Sequence, residues 1–227
     1  LLNIDASSNY YMKLRPLLLA TMLGFAASAE ATVSFLIDGD LLKTSLGEAA
    51  PQSTLFLLVA STTNSSFGPI SPGASLDVGS ILDGDDDVVL FRGDLTAYGV
   101  DGVLSTSVTG INFANFANFG PGDSLALYWF PTLTTASTTI DPGTTYGVYT
   151  STIPVDGSAA WIAPADGTTD HFLFFYTQDG SELSPGAEAS NPASAGNASL
   201  TVVPEPASML LFGLAGLGMM TVRRRRA

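Results

Sequence analysis

The chain has 227 residues, a formal net charge of −13 and no cysteine, a length that suits one domain plus processing segments. Hydrophobic residues make up 46% and charged residues 13%, so a core is available despite the acidity, while the missing cysteines exclude disulfides, thiolate metal sites and cysteine nucleophiles. Between Thr32 and Val203 only Lys43 and Arg92 stand against 18 Asp and Glu, a balance that repels phosphate backbones and argues against nucleic acid as a partner.

In chain order, residues 1–11 read as an upstream extension of a miscalled start, or as following an initiation codon read as Leu. From Met12, "MKLRPLLLATMLGFAASAEA" has the layout of a secretory signal peptide over 12–31. Lys13 and Arg15 supply the positive region, and Leu17 to Phe25 an apolar core too short to span a bilayer. Ala27, Ala29 and Ala31 offer small-x-small cleavage sites, with cutting by signal peptidase expected after Ala31 and Ala29 as the other small position of that site.

From Thr32 onward the pattern is β. Strands are expected at Val33–Ile37, Thr54–Ser61, Asp87–Arg92, Val103–Thr109, Ser124–Phe130, Thr145–Thr150, His171–Thr177 and Ser199–Val203. They are rich in Val, Thr, Tyr and Phe and are separated by breakers such as "FGPISPG", "GPGD" and "DPG". "TLFLLVA" and "HFLFFY" are almost continuously apolar, as expected of strands buried between two sheets. The fold expected over 32–183 is therefore all-β, an antiparallel β-sandwich or jelly roll; no fixed repeat supports a β-helix. Residues 184–203 read as a low-complexity linker carrying a possible last strand.

Within this region "LDGDDDVVLFRGD" is the most chemically suggestive stretch. Asp83, Asp85 and Asp87 occupy positions 1, 3 and 5 of a calcium-loop spacing and Asp94 position 12, and alternating carboxylates supply the hard oxygens calcium takes. Val88 stands where such a loop needs glycine, Asp94 is shorter than Glu, and no helices flank the run, so an EF-hand is not expected. The competing reading is a solvated acidic turn. Asp38 and Asp40 of "IDGD" would join if the fold brought them close.

In "INFANFANFG", Phe113, Phe116 and Phe119 recur every third residue, which is not a strand period; one helical turn or a packed loop would gather them at the end of the sandwich. His171, the single histidine, reads as a strand-edge residue rather than a general base. Trp129 and Trp161 are the side chains that would stack on a sugar; Trp129 reads as core, whereas Trp161, between "GSAA" and "APADG", reads as nearer the surface. The Thr pairs are too irregular for a flat ice-facing array. No nucleophile elbow, zinc-protease helix or phosphate loop occurs, so no catalytic residue is assigned.

The tail reads "VPEPASMLLFGLAGLGMMTVRRRRA". Pro204 and Pro206 bar helix before Ala207; residues 207–222 would then form a transmembrane helix of about 24 Å. Arg223, Arg224, Arg225 and Arg226 would remain cytoplasmic. In this order, Pro204-Glu205-Pro206, a short Gly-rich apolar helix and a terminal arginine block resemble the PEP-CTERM sorting signal, over residues 204–227. The resemblance implies processing near Glu205 by an exosortase in a Gram-negative bacterium, after a transient stay in the inner membrane. It also implies residence at the outer surface or in an extracellular, exopolysaccharide-rich matrix. The expected role is non-enzymatic and structural or adhesive, with calcium the one cofactor the residues suggest; the alternative is a carbohydrate-binding or carbohydrate-active domain on the same route.

Overall fold

The computed structural model describes residues 32–39, 42–151, 160–174 and 197–202. Among the described residues eight strands form two sheets, and the helical elements are 3-10 turns at Leu95–Ala97 and Phe113–Asn115. In chain order the strands are β1 (Val33–Gly39), β2 (Leu55–Ser61), β3 (Asp87–Asp94), β4 (Leu104–Ile111), β5 (Ser124–Phe130), β6 (Thr145–Tyr149), β7 (His171–Phe174) and β8 (Leu200–Thr201). One sheet has the order β4-β1-β7 and the other β3-β2-β5-β6-β8.

The sheets share one core. Val33, Phe35 and Ile37 of β1, Leu104 and Val108 of β4 and Leu173 of β7 face Phe56, Leu58 and Ala60 of β2, Val88 and Leu90 of β3, and Leu125, Leu127 and Trp129 of β5. Two-residue alternation on β1 places every second side chain in this core. Two sheets packed on a common core make the arrangement of a sandwich. It is not purely antiparallel: β1 pairs with β7 in parallel, Phe35 opposite His171 and Ile37 opposite Leu173. A parallel neighbour arises because the chain passes through β2, β3, β5 and β6 of the five-stranded sheet before β7 returns to the edge of β1, and β8 is added to that sheet afterwards.

A second core lies on the opposite face of the five-stranded sheet. Leu55, Leu57 and Val59, Val89, and Ala126, Tyr128 and Phe130 are covered there by Ile70, Leu76 and Leu82 from the β2–β3 connection and by Ile140 from the β5–β6 connection. This explains why β2 and β5 are buried along their whole length. "TLFLLVA" is thus buried on both faces, as its composition requires, but by one sheet and one irregular layer. "HFLFFY" departs further from expectation: β7 is an edge strand with only Leu173 buried and Phe172 exposed.

The two covering connections brace each other. Leu76 N–H donates to Thr138 O, Gly73 N–H to Ile140 O and Ile140 N–H to Ala74 O. Arg92 clasps both: its guanidinium bonds the carbonyls of Thr135 and Ser137 at 2.7 and 2.8 Å and pairs with Asp77 at 3.2 Å.

At one end of the shared core the 3-10 turn Phe113–Asn115 brings Phe113 and Phe116 edge-on to Phe119, at centroid distances of 4.8 and 5.9 Å. The period-three phenylalanines therefore act as a packed plug. Gly147 is required by the shared core, since a Cβ there would stand 2.0 Å from the Trp129 ring. Among the described residues no helix is long and apolar enough to cross a membrane; the signal segment 12–31 and the segment 207–222 lie outside the described residues.

Candidate functional site

The β2–β3 connection leaves Ser61 and returns to Asp87, which pair across the sheet. Four carboxylates, Asp83, Asp85, Asp86 and Asp87, therefore gather where the loop re-enters the strand. Gly84 sits at φ +82, a left-handed conformation that glycine adopts without steric cost, and it turns the chain back on itself. Asp83 closes the turn: its Oδ1 accepts the backbone N–H groups of Asp85, Asp86 and Asp87 at 2.9, 3.1 and 3.1 Å. Ser71 Oγ–H adds a bond to the Asp83 carbonyl at 2.8 Å.

Asp86 does different work. Its Oδ2 accepts from Ser61 Oγ, Thr63 N–H and Asn64 N–H at 3.0, 2.6 and 3.1 Å, and its Oδ1 accepts from Asn64 Nδ2 at 2.9 Å. One buried carboxylate thereby ties the start of the loop to its end. Such charge-assisted bonds are stronger than neutral ones, and a buried Asp is expected to be saturated in this way.

Asp87 is buried as the first residue of β3. Its Oδ2 accepts the Gly68 N–H at 3.0 Å, while its Oδ1 is buried without a hydrogen-bond partner among the described residues. Burial, with the charge of Asp83 next, pushes its carboxyl up to about 7; Asp86 and Asp85 act in the same direction and the Gly68 N–H opposes them. Tyr128, behind it in the second core, is held well above the ordinary phenol range by burial and then by Asp87. Asp123, just before β5, is raised by burial, and Asp86 adds to the shift.

Single oxygens of Asp83, Asp85 and Asp86 lie within 4.8 Å of one another. Of the residues expected from spacing, Asp83 and Asp85 share this group with Asp86, which the spacing passed over; Asp87 lies at the same turn but outside the group. Asp94 does not. It lies at the other end of β3, roughly 23 Å along the strand at about 3.3 Å per residue, where it caps the 3-10 turn by accepting from Thr96. The calcium-loop spacing fails beyond its fifth position because Val88 onward is regular strand, with Val88 in the core. Asp38 lies on β1 of the other sheet, opposite Ser105, and is not part of the group; Asp40 lies outside the described residues.

Two aromatic expectations resolve differently. Trp129 is core, its Nε1–H donating to Lys43 O at 3.1 Å. Trp161 is buried too, packed edge-on against Tyr149 with its Nε1–H on Phe174 O, and so offers no surface platform for a sugar ring. The small residues around Trp161 suggested exposure; the pocket between β6 and β7 that takes the indole is a tertiary feature no local signal carries. His171 begins β7, edge-on to Phe35, and burial lowers its pKa, which keeps the ring neutral at pH 7.

The sorting residues Pro204, Glu205 and Pro206, the arginines Arg223 to Arg226, and the cleavage positions Ala29 and Ala31 lie outside the described residues. No curated protein and no solved structure matches the chain. Residues 202–226 match the family model of the PEP-CTERM protein-sorting motif, which implies export along an exosortase route to the cell surface.

Proposed function

We propose that the chain is a non-enzymatic structural or adhesive component of an extracellular, exopolysaccharide-rich matrix, delivered by a signal peptide over 12–31 and released from a transient transmembrane helix over 207–222 by cleavage near Glu205. The observation that carries this reading is the match of the tail to the sorting motif. The order of the parts gives it physical sense: the arginines stop transfer, the helix holds the domain at the membrane, and a proline-bounded segment presents extended backbone to a protease. An acidic domain with only Lys43 and Arg92 as cations from Thr32 to Val203 suits a hydrated matrix, where net charge keeps chains apart and soluble. The carbohydrate-active alternative loses its aromatic platform with the burial of Trp161.

Fractionation of the producing cells tests the reading. Wild-type protein is expected in the extracellular matrix fraction without its arginines, and Glu205→Ala in the inner membrane with them. Matrix polysaccharide should co-sediment with the released protein and keep its chain length. Normal release of Glu205→Ala would overturn the sorting step, and depolymerisation of the polysaccharide would overturn the non-enzymatic role.

A further inference from the structure

We propose that the end of the sandwich closed by Val202 is a membrane-facing surface: while the tail is uncut, the exposed apolar tips Leu46, Tyr98 and Val100 rest in the headgroup layer of the bilayer that holds the helix. The inference rests on the transmembrane reading of residues 207–222.

Hydrogen bonds define that end. The segments after β1 and β3 and before β2 and β4 converge there: Leu42 N–H donates to Gly102 O, Gly102 N–H to Ala50 O, Ala50 N–H to Leu42 O and Leu95 N–H to Gln52 O. β5 ends there too, since Phe130 lies opposite Leu55, the first residue of β2. β6 starts beside the end of β5 and pairs with β8 through Thr145 and Thr201. Val202 therefore closes the same end, its N–H on Thr144 O and its carbonyl taking the Gly143 N–H. Residues 203–206 alone separate it from Ala207 in the sequence, a reach of at most about 14 Å. The headgroup layer outside the hydrocarbon is about 5–7 Å deep, so an inserted helix holds this end of the domain at the bilayer surface.

What the end presents is the second observation. The most exposed large apolar side chains among the described residues, Leu46 at 83% and Tyr98 at 60%, both stand there, with Val100 at 49%. Leu46 lies in the hairpin closed by the Lys43–Ala49 bridge, and Tyr98 and Val100 lie on the connection from β3 to β4. Gly102 joins the two: at φ +78, with Leu42 O 2.9 Å from where a Cβ would stand, it lets the connections touch. Val202 and Tyr98 belong to opposite flanks, because β8 and β3 are the two edges of the five-stranded sheet, about 19 Å apart at about 4.8 Å per strand. A tether on one flank alone would let the domain tip, and apolar contacts on the other supply a second point. Leucine and valine gain by leaving water, and tyrosine favours the headgroup level. The exposed carboxylates Glu48, Asp101 and Asp141 at this end oppose anionic headgroups, so the surface fits zwitterionic lipid. The acidic turn at Asp83 to Asp87 lies at the far end of β3, roughly 23 Å away at about 3.3 Å per residue, and points outward.

The test uses the Glu205→Ala chain recovered from inner membranes and reconstituted at low density in phosphatidylcholine–phosphatidylethanolamine vesicles. The chain has no cysteine, so a nitroxide on a single introduced cysteine reports one place. Ala215→Cys reports the tail, Ser45→Cys the hairpin and Asp85→Cys the far end. We expect Ala215→Cys to be shielded from an aqueous nickel chelate, and Ser45→Cys to be at least about twofold less accessible to it than Asp85→Cys, as suits headgroup depth. Replacing Leu46, Tyr98 and Val100 together by Ser should return the Ser45→Cys probe to water while Ala215→Cys stays shielded. Equal accessibility at Ser45→Cys and Asp85→Cys, with Ala215→Cys shielded, would overturn the docking and leave the transmembrane reading standing. An Ala215→Cys probe open to water would overturn that reading and the docking with it. Spin–spin broadening between Ser45→Cys probes that persists on dilution with lipid would mean that the tips meet a second copy, and would overturn lipid as the partner.

Discussion

On one face of the five-stranded sheet, Phe56, Leu58, Leu127 and Trp129 meet side chains presented by the regular strands of the second sheet; on the other, Leu57, Val59 and Tyr128 meet Ile70, Leu76, Leu82 and Ile140 from connections without regular structure. The first interface is held by apolar fit between ladders that already satisfy their own backbone groups. The second needs the same burial but lacks a ladder to organise it, so its cover is pinned by a few polar groups: Asp86 at the loop mouth, Asp83 at the turn and Arg92 across both connections. Packing on the first face is apolar, with His171 beside Phe35 as its titratable neighbour. The second is attached through carboxylates, and its stability depends on what those carboxylates meet.

The contrast can be broken most severely at Gly147. Any side chain there would run into the Trp129 ring, so Gly147→Val should prevent folding or cost at least about 3 kcal/mol in chemical denaturation. The loss should be the same in an Asp87→Asn background, because it falls on the face between the sheets.

Asp86→Ala tests the other face. It strands the N–H groups of Thr63 and Asn64, and a loss of about 3 kcal/mol is expected. Limited proteolysis should cut first within residues 62–86, with the shared core still folded. Uniform cleavage throughout the chain would mean that the loop and the sandwich unfold together.

Asp87 gives the second face a pH dependence. Its folded pKa, about 7, lies above the unfolded value near 4, so the folded state keeps a proton that the unfolded state releases. Stability should therefore fall as pH rises from about 4 to about 7 and level off above. Around the carboxyl stand Asp83, Asp85, Asp86 and Tyr128, none of them cationic at these pH values. Asp87→Asn should flatten the slope, and a wild-type slope that persists in Asp87→Asn would assign it to another group. Arg92→Met should cost least, about 1–2 kcal/mol, by releasing Thr135 and Ser137 while keeping the apolar stem over the sheet.

The strands were legible because their signals are local. "SLALYWF" between "GPGD" and "PTL" could hardly be anything but a buried strand, and β5 spans Ser124–Phe130 as read. What covers a strand is not local. Ile70, Leu76 and Leu82 stand too far apart among Gly, Pro, Ser and Asp to make a strand or helix pattern, and Ile140 comes from a distant connection, so no local signal marks them as a core layer. The parallel pairing of β1 with β7 depends on where a distant segment returns, which alternation alone does not encode. At the acidic turn, the calcium-loop template selected Asp83, Asp85 and Asp87 and passed over Asp86, the residue with the most hydrogen bonds, because template positions count ligands and not anchors. It also reached to Asp94, since a template cannot know that the chain becomes a strand at Asp87.

The central claim is that an exported β-domain is freed from its tail at the membrane. Intact mass spectrometry of the protein recovered from the extracellular matrix addresses it directly. The account predicts a species that ends near Glu205. A mass that retains Arg223 to Arg226 would contradict release.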